Sequence, residues 1–324
     1  MTPTAPAGAA SPMPMGGPSR VEAAVPAGAA FVPFEGRRPE FNIDPEDVRL
    51  PPGDPLKIIR REPQIPYPLH THSFSELVVI TSGTGTHRVA GSPIPVAAGD
   101  VFVIQGERAH GYEDLADLHL INVLFDPSLL EYPLQDLARL PGFHALFSLE
   151  PRWRGDGETA AHLRLDAGRL DAALVLVDRI ESELRVREDG FLFMAAAHFL
   201  RLVGELSRWY SGTSHPGARR LYRIGKALGL LEHRLDGPVD TEELIALTGL
   251  SASTLNRAFH RAVGLSPLAY HMRLRLRRAG ELLRSTDLSI TEVAGRCGFD
   301  DANYFARRFR DAMGESPSGY RRKG

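Results

Sequence analysis

The order of apolar and polar positions divides the chain into zones of different periodicity. Residues 51–130 contain short apolar runs separated by Gly, Pro and Ser, as in the strands of a small sandwich or barrel: LKIIRR, ELVVIT, THRVA, DVFVIQ and LHLINVLF. Residues 131–210 contain two long apolar stripes at helical spacing. Residues 219–324 contain shorter helical patterns, so a β-rich half should precede an all-α half.

Two stretches lack either periodicity. The first 50 residues are rich in Pro, Ala and Gly, which predicts a disordered tail. Residues 211–218, SGTSHPGA, have the composition of a linker. The chain therefore divides into a tail (1–50), a β-rich domain (51–130), a helical region (131–210), a linker and a C-terminal helical domain (219–324).

The helical domain contains an internal repeat. A shift of 50 residues aligns TGLSASTLNRAFHRAVGLSPLAY with RCGFDDANYFARRFRDAMGESPSGY in one frame. Each copy has a short helix, a glycine and a second helix. Capping-box spacing opens the first helices at Asp240 and Ser289, and Ser251 and Asp300 are expected to cap the second. Both copies are therefore predicted to be helix-turn-helix units.

The second helix of each unit is predicted to be amphipathic. Phe259, Phe305 and Phe309 should face inward, while polar and basic residues face outward. A 19-residue helix, PLAYHMRLRLRRAGELLRS, joins the units and spans on the order of 27 Å, close to the ~34 Å between successive major grooves. The outward face carries Ser253, Asn256 and Arg257 in one unit, and Asn303 and Arg307 in the other.

Charge and composition narrow the function. From Gly217 onward, 19 Lys and Arg stand against 12 Asp and Glu, a net +7, while the remainder carries −9. A basic domain beside an acidic one favours a polyanion bound at one end. Arginine and asparagine read base edges, and we expect other arginines to meet phosphates: Arg273, Arg275, Arg277 and Arg308. A single cysteine, Cys297, and no run of 18 apolar residues favour a cytoplasmic protein without a membrane span.

The stretch from Thr241 to Arg322 resembles the double helix-turn-helix domain of the AraC/XylS family of bacterial transcription regulators. The resemblance is carried most fully by LLRSTDLSITEVAGRCGFDDANYFARRFRDAMGESPSGYRR. In that family the outward residues of the third and sixth helices contact bases. By position, the resemblance implies base contacts from Ser253, Asn256, Arg257, Asp301, Asn303 and Arg307.

The β-rich domain carries a cluster of candidate ligand residues. His70 and His72, at i and i+2, should point to one side of a strand, with Glu76 close behind and His110 after a later strand. This spacing resembles the first motif of cupin barrels. The second motif departs from the cupin pattern, because Gln105 and Glu107 stand where Pro and Gly are usual. A metal held by the two histidines, Glu76 and His110 remains an alternative to a metal-free, cofactor-free ligand pocket.

The frame of PQIPYPLHTHSFSE, GTGTHRVAG and INVLF is similar to the rhamnose-responsive branch of the AraC/XylS family. That similarity implies a small-molecule receptor domain that binds a sugar such as L-rhamnose, and helices that form a homodimer. Stacking and paired hydrogen bonds suit a sugar, and the candidate pocket residues are His70, His72, Glu76, Arg88, His110 and Tyr112.

The combined interpretation is a multidomain α and β protein. A cupin-like β-barrel and a helical dimerisation region precede an all-α double helix-turn-helix domain. The expected function is a transcription factor, not an enzyme, that binds direct-repeat promoter DNA, responds to a small molecule and recruits RNA polymerase. Two alternatives stay open: a metal-dependent cupin enzyme fused to a DNA-binding domain, and a regulator that needs no ligand.

Overall fold

The described residues cover both predicted halves of the chain. The computed structural model describes residues 50–51, 53–89, 92–106, 108–126, 136–154 and 162–323. The predicted N-terminal tail lies outside these ranges, except for its last residue. Among the described residues, no helix is both long and apolar enough to cross a membrane.

The described residues of the N-terminal half form a seven-stranded antiparallel sheet in the order β1-β6-β3-β5-β7, with β2 added to β6 and β4 to β3. The strands are β1 (Leu56–Arg61), β2 (Tyr67–His70), β3 (Ser75–Val89), β4 (Ser92–Ala97), β5 (Asp100–Ile104), β6 (His110–Phe125) and β7 (Leu163–Arg164). The strands β3 and β6 are long and paired through most of their length, so they form the centre of the sheet.

Bulges bend this central pair. The register of β3 on β6 shifts three times between Ile80 and Thr86, and each bulge adds local twist that helps the sheet to curl. Gly83 lies in this region with φ +72°, and a Cβ there would come within 1.9 Å of the carbonyl oxygen of Asp117. Only glycine fits this close approach of two backbones.

Both faces of the sheet are buried. One face encloses an interior core that includes Val78, Ile80, Phe102 and Leu120. The alternate residues, such as Leu77, Val79 and Val101, pack against helices. Burial on both faces explains why β3 contains an uninterrupted apolar run, residues 77–80, rather than an alternating one.

Helices from 136–212 cover the outer face. Two are the predicted long ones, α3 (Ala167–Val186) and α4 (Phe191–Trp209). The third element was not predicted: α1 (Pro141–Phe143) continues through a π-helical turn, His144–Leu149, into α2 (Glu150–Trp153). Its residues are almost all buried, so the polar positions that mark an amphipathic helix are missing.

The C-terminal half contains seven helices: α5 (Pro216–His233), α6 (Thr241–Thr248), α7 (Ala252–Val263), α8 (Pro267–Ser285), α9 (Ile290–Arg296), α10 (Ala302–Met313) and α11 (Pro317–Arg321). The units α6–α7 and α9–α10 are the two predicted helix-turn-helix units, and α8 joins them with the predicted bounds. The linker prediction for 211–218 was too long, because α5 begins at Pro216, where proline occupies the first turn of a helix.

The caps follow the sequence signals with one exception. Ser289 and Glu292 form a complete capping box at α9, and the side chain of Asp240 caps α6. Gly249 and Gly298 both have positive φ at the turns. The prediction that Asp300 caps α10 was wrong. Asp301 is the cap, because its carboxylate accepts from two backbone N–H groups of the first turn.

An arginine from the preceding long helix holds each helix-turn-helix turn. Arg223 of α5 donates to the carbonyls of Thr248 and Gly249, and Arg275 of α8 donates in the same way to the carbonyls of Cys297 and Gly298. These carbonyls lie at the ends of α6 and α9, where they lack intrahelical partners. The repeat therefore includes the helix before each unit.

The two units differ in their cores. One continuous core runs from the sheet through α3, α4 and α5 into the first unit, where Leu255 and Phe259 belong to it. The second unit has a separate core around Phe305 and Phe309. The first unit is thus built onto the N-terminal half, whereas the second packs mainly within itself.

We predict that Arg275→Ala lowers the free energy of unfolding by roughly 2–4 kcal/mol, because it leaves the carbonyls of Cys297 and Gly298 at the end of α9 without their charged donor. It also removes a guanidinium stacked 4.3 Å from the centre of the Phe299 ring. Thermal unfolding measures the loss. Arg277→Ala, exposed on the same helix, is the control and should leave the melting temperature unchanged. Equal melting temperatures for the two variants would contradict the assignment.

Candidate nucleic-acid interface and effector site

The second helix of each unit presents its predicted polar face. In α10, Phe305 and Phe309 are fully buried and contact the rings of Phe299 and Tyr320 at centroid distances of 5.1 and 5.3 Å. This packing fixes the roll of the helix about its axis. The structure exposes every residue predicted to contact bases: Ser253, Asn256, Arg257, Asp301, Asn303 and Arg307.

Two of these side chains have partners within α10. Oδ1 of Asp301 accepts from the backbone N–H groups of Asn303 and Tyr304, so its carboxylate serves as the helix cap. The guanidinium of Arg307 lies 5.6 Å from the centre of the Tyr304 ring, a loose cation–π contact. Arg307 stays exposed and can turn to a base edge, whereas Asp301 is tied to the backbone.

The four arginines expected to meet phosphates divide into different environments. Arg273 and Arg277 are exposed on α8, and Arg308 of α10 is half-buried. The prediction for Arg275 was wrong. Its side chain is only 6% exposed, because its guanidinium is used on the carbonyls that end α9.

The barrel interior brings together a polar cluster, which we define as His70, His72, Glu76, His87, His110 and Tyr112. The members come from β2, β3, β6 and the turn after β2. The rings of His70 and His110 lie 4.2 Å apart, and Nε2 of His72 and Nε2 of His110 lie 3.5 and 3.6 Å from the carboxylate of Glu76. All six residues are at least nine-tenths buried.

Backbone carbonyls fix the tautomers of three imidazoles in this cluster. Nδ1 of His70, His72 and His110 lies 3.1, 2.7 and 3.1 Å from a carbonyl oxygen. A carbonyl only accepts, so each Nδ1 carries a proton, and an imidazole in its neutral form then keeps a lone pair on Nε2. The cluster therefore offers imidazole acceptors beside a carboxylate.

Several polar atoms of the cluster have no hydrogen-bond partner. Among the described residues these include Nε2 of His72, Oε2 of Glu76, Nε2 of His87 and the hydroxyl of Tyr112. A buried polar atom without a partner costs about 1–3 kcal/mol. Neighbouring atoms of this kind are expected where a ligand supplies the missing partners.

The structure removes one residue from the predicted pocket set and adds another. Arg88 points away from the interior, where its Nε lies 3.2 Å from Glu113 and both side chains are about one-third exposed or more. The residue before it, His87, faces inward and stacks on Tyr112 and Phe102. Sequence reasoning missed His87, because alternation from the inward-facing Glu76 puts Arg88 inside, and the bulges of β3 shift the register before His87.

Burial sets the protonation of the cluster. Desolvation lowers the pKa of both His70 and His72 to about 4. Burial alone would raise the pKa of Glu76, but the neighbouring histidines, His72 foremost, outweigh it and hold the pKa at about 2. At neutral pH the cluster therefore contains an ionised carboxylate next to neutral His70 and His72.

The same donor set fits a divalent cation. His72, Glu76 and His110 each offer a ligand atom within 4.8 Å of the others. Two histidines and a carboxylate form a common set for divalent transition metals, and the Nδ1–H donation to carbonyls is the usual outer contact of a metal-bound imidazole. His70 is not part of this three-residue group.

Comparison with known proteins gives matches to both halves. Residues 52–188 match the AraC-like ligand binding domain and residues 244–323 a helix-turn-helix domain. The HTH-type transcriptional activator RhaS of Enterobacter sp. (strain 638) is 32% identical over 81% of this chain and 90% of its own. The activator RhaR of the same strain is 29% identical over 84% and 93%. The DNA-binding domain of AdpA, solved with a target DNA, is 35% identical over 31% of this chain and 91% of its own, with a TM-score of 0.30.

We predict that the protein loses stability as the pH falls from about 6.5 to 4. His70 and His72 have pKa values of about 4 in the folded state against 6.5 as the ordinary value. The unfolded state then binds more protons within this window, so acid favours unfolding, by roughly 3 kcal/mol for His72 alone. Thermal unfolding at stepped pH measures it. His72→Gln should flatten the dependence, whereas His260→Gln, exposed on α7, should not. A pH profile that His72→Gln leaves unchanged would contradict this origin.

Proposed function

The chain belongs to the AraC family of DNA-binding transcription regulators, and on that premise we propose that it activates transcription in response to a sugar such as L-rhamnose bound at the polar cluster. The observation that carries the proposal is the set of buried, unpartnered polar atoms in a barrel attached to two helix-turn-helix units. The similarity to RhaS and RhaR supports the choice of sugar.

The chemistry of the cluster suits a polyol. The Glu76 carboxylate and the Nε2 lone pair of His72 accept hydroxyl protons. The accepting Nδ1 of His87 faces Arg154, so the Nε2 of His87 carries a proton and can donate to a sugar oxygen. The ring of Tyr112 supplies a flat apolar surface close by.

We propose that α7 and α10 read successive major grooves of a direct-repeat site. Asn256, Arg257, Asn303 and Arg307 are the exposed residues with base-reading chemistry, and Ser253 is a smaller contributor. We assign Asp301 a capping role in place of a base contact: its carboxylate holds the first turn of α10. Arg273, Arg277 and Arg308 are assigned to phosphates.

We further propose a homodimer formed by the hairpin of α3 and α4. Large apolar side chains there are exposed, including Phe193 at 65%, Val186 at 56% and Val175 at 51%. An apolar surface of this kind favours association with a second copy. Recruitment of RNA polymerase by the DNA-bound dimer is the expected route to activation.

A divalent cation at His72, Glu76 and His110 is the second candidate for the same site, favoured by the shared tautomer pattern of the imidazoles. Such a cation would supply a Lewis-acid centre for hydroxyl oxygens of an effector. An enzyme built on this cation, and a regulator that needs no ligand, are the alternatives that the following experiment separates.

We predict that L-rhamnose raises the melting temperature of the wild-type protein and that Glu76→Gln weakens its binding at least tenfold, because an acceptor for hydroxyl protons is lost. Titration followed by thermal shift and calorimetry measures both. Glu113→Gln, on the outer side of β6, is the matched control and should bind like wild type.

The outcomes are distinct. No shift with L-rhamnose or related sugars would favour the ligand-independent regulator. Stoichiometric iron, manganese or zinc in protein purified without chelator, lost in Glu76→Gln but kept in Glu113→Gln, would establish the cation site. Substrate turnover that depends on this metal would be required for the enzyme.

For DNA reading, we predict that Arg307→Ala costs about 1–3 kcal/mol at the specific site and relaxes the preference at one base pair. Arg277→Ala should weaken binding to all sequences and lower the salt slope by about 1. Fluorescence anisotropy at several salt concentrations, on an operator selected from random DNA, measures both. Equal losses on specific and random DNA for Arg307→Ala would exclude base reading.

For assembly, we predict that Phe193→Asp shifts the protein from dimer to monomer, because it places a charge in an apolar contact. Sedimentation velocity measures the mass. Arg201→Asp, exposed on the same helix, is the control for a charge change outside the apolar surface. A wild-type monomer, or a Phe193→Asp dimer of unchanged affinity, would rule out this interface.

A further inference from the structure

Five consecutive residues, Glu150 to Arg154, contact the polar cluster at one end and the first recognition helix at the other. We call them the bridging segment. They comprise α2 and the residue after it, and they follow the π-helical turn 144–149. Neither sequence periodicity nor the proposed DNA and sugar contacts give this segment a role.

Arg154 joins the segment to the barrel interior. Its side chain is 2% exposed, its guanidinium lies 3.7 Å from the centre of the Phe102 ring, and its Nε donates to Nδ1 of His87 at 3.3 Å. On the other side, its Nη1 donates to Glu150 at 2.9 Å. Its Nη2 is buried without a partner, so the N–H donors of this amino group are left for a molecule bound at the polar cluster.

The preceding two residues join the segment to α7. Nη1 of Arg152 donates to the carbonyl oxygen of Ala262, in the last turn of α7. The ring of Trp153 lies under the guanidinium of Arg261, 4.7 Å from its centroid, and also faces Arg220 of α5. At the end of α7, the Ala262 carbonyl, which has no intrahelical partner, and the Arg261 side chain are therefore both held by residues of the N-terminal half.

The internal repeat provides a built-in comparison. The position equivalent to Ala262 in the second unit is Ala312, which is exposed, whereas Ala262 is buried. The position equivalent to Arg261 is Asp311, which could not stack its charge on a tryptophan ring. The contact is thus specific to the first unit, which agrees with its shared core and with the separate core of the second.

We propose that the bridging segment positions the first recognition helix from the effector site, so that occupancy of the polar cluster changes DNA reading by α7 and leaves reading by α10 unchanged. Arg152 and Trp153 are positioning residues in this scheme, and Arg154 is the sensor. The sensing step rests on the proposed function, whereas the positioning step does not.

The physical basis is competition for Arg154. In the absence of effector, the guanidinium is held by Glu150, His87 and the Phe102 ring. An effector that accepts from its free Nη2, or that draws His87 away, binds one arrangement of the segment better than another. A ligand can shift a conformational equilibrium only through such a difference in affinity. Because the segment is short and buried, displacement at Arg154 reaches Arg152 two residues away.

The test uses full-length protein and an operator selected from random DNA, with base pairs substituted one at a time. Arg257→Ala and Arg307→Ala first assign the half-sites read by α7 and α10. Arg152→Ala should then reduce base discrimination at least fivefold at the α7 half-site and leave the α10 half-site within twofold of wild type. Arg139→Ala, exposed in the same region and paired with Asp136 at 3.6 Å, should change neither.

A second variant guards against a general loss of folding. Arg261→Gln removes the cation from the Trp153 ring. Its effect should be non-additive with that of Arg152→Ala, because the Arg152–Ala262 and Trp153–Arg261 contacts are neighbours and hold the same end of α7. Equal losses at both half-sites, or no change at either, would overturn the positioning role. Additive effects would do the same.

The sensing role is read from the same variants with L-rhamnose added. In wild type, L-rhamnose should change affinity for the α7 half-site by a factor within the roughly 5- to 150-fold range of allosteric couplings. Arg152→Ala should still bind the sugar, as seen by thermal shift, but lose most of this change. A wild-type protein indifferent to L-rhamnose would refute the sugar proposal and leave the half-site result to decide the positioning role. Full coupling retained in Arg152→Ala would refute the sensing role.

Discussion

The structure depends on one packing requirement: the outer face of the curled sheet is as apolar as its interior and must be covered. The helices α3 and α4 and the buried segment 141–153 meet this requirement, and α5 packs against them in the same core. The free energy gained is that of removing large aliphatic and aromatic side chains from water. Because α5 also carries the first helix-turn-helix unit, covering the sheet brings that unit against the barrel. The relation between the two halves is thus a consequence of core formation and not of a separate docking surface.

Because of this requirement, the two helix-turn-helix units differ in their packing although their sequences are related. Each uses the same internal devices: a left-handed glycine at the turn, a serine or aspartate cap, and an arginine from the preceding long helix that holds the carbonyls of the turn. They differ in what lies outside them. The first unit shares its core with the barrel half, and the second encloses its own. A regulator built in this way can keep one recognition helix constant while the other is adjusted.

The polar cluster interrupts the apolar interior of the barrel. Carbonyl acceptors fix three histidines in a single tautomer, and burial keeps His70 and His72 neutral at physiological pH. Glu76 stays ionised among them. Such an arrangement costs folding free energy, because several of its atoms lack partners. A bound sugar or cation would offset that cost by completing the hydrogen bonds or the coordination. The unpartnered atoms are therefore the reason for proposing the cluster as the effector site.

Local sequence alone determined the helix-turn-helix units, their caps except that of α10, the bounds of α8 and the identity of the exposed residues on α7 and α10, because capping, glycine turns and helical periodicity act within a few residues. The sequence also predicted every member of the polar cluster except His87. It predicted Arg88 in the interior instead, because bulges in β3 shift the register there. Only the tertiary structure decided that Arg275 is buried, since its partners lie more than 20 residues away. It alone revealed the bridging segment, because a segment buried on all sides has no amphipathic pattern, and its contacts with His87 and Ala262 join positions far apart in the chain.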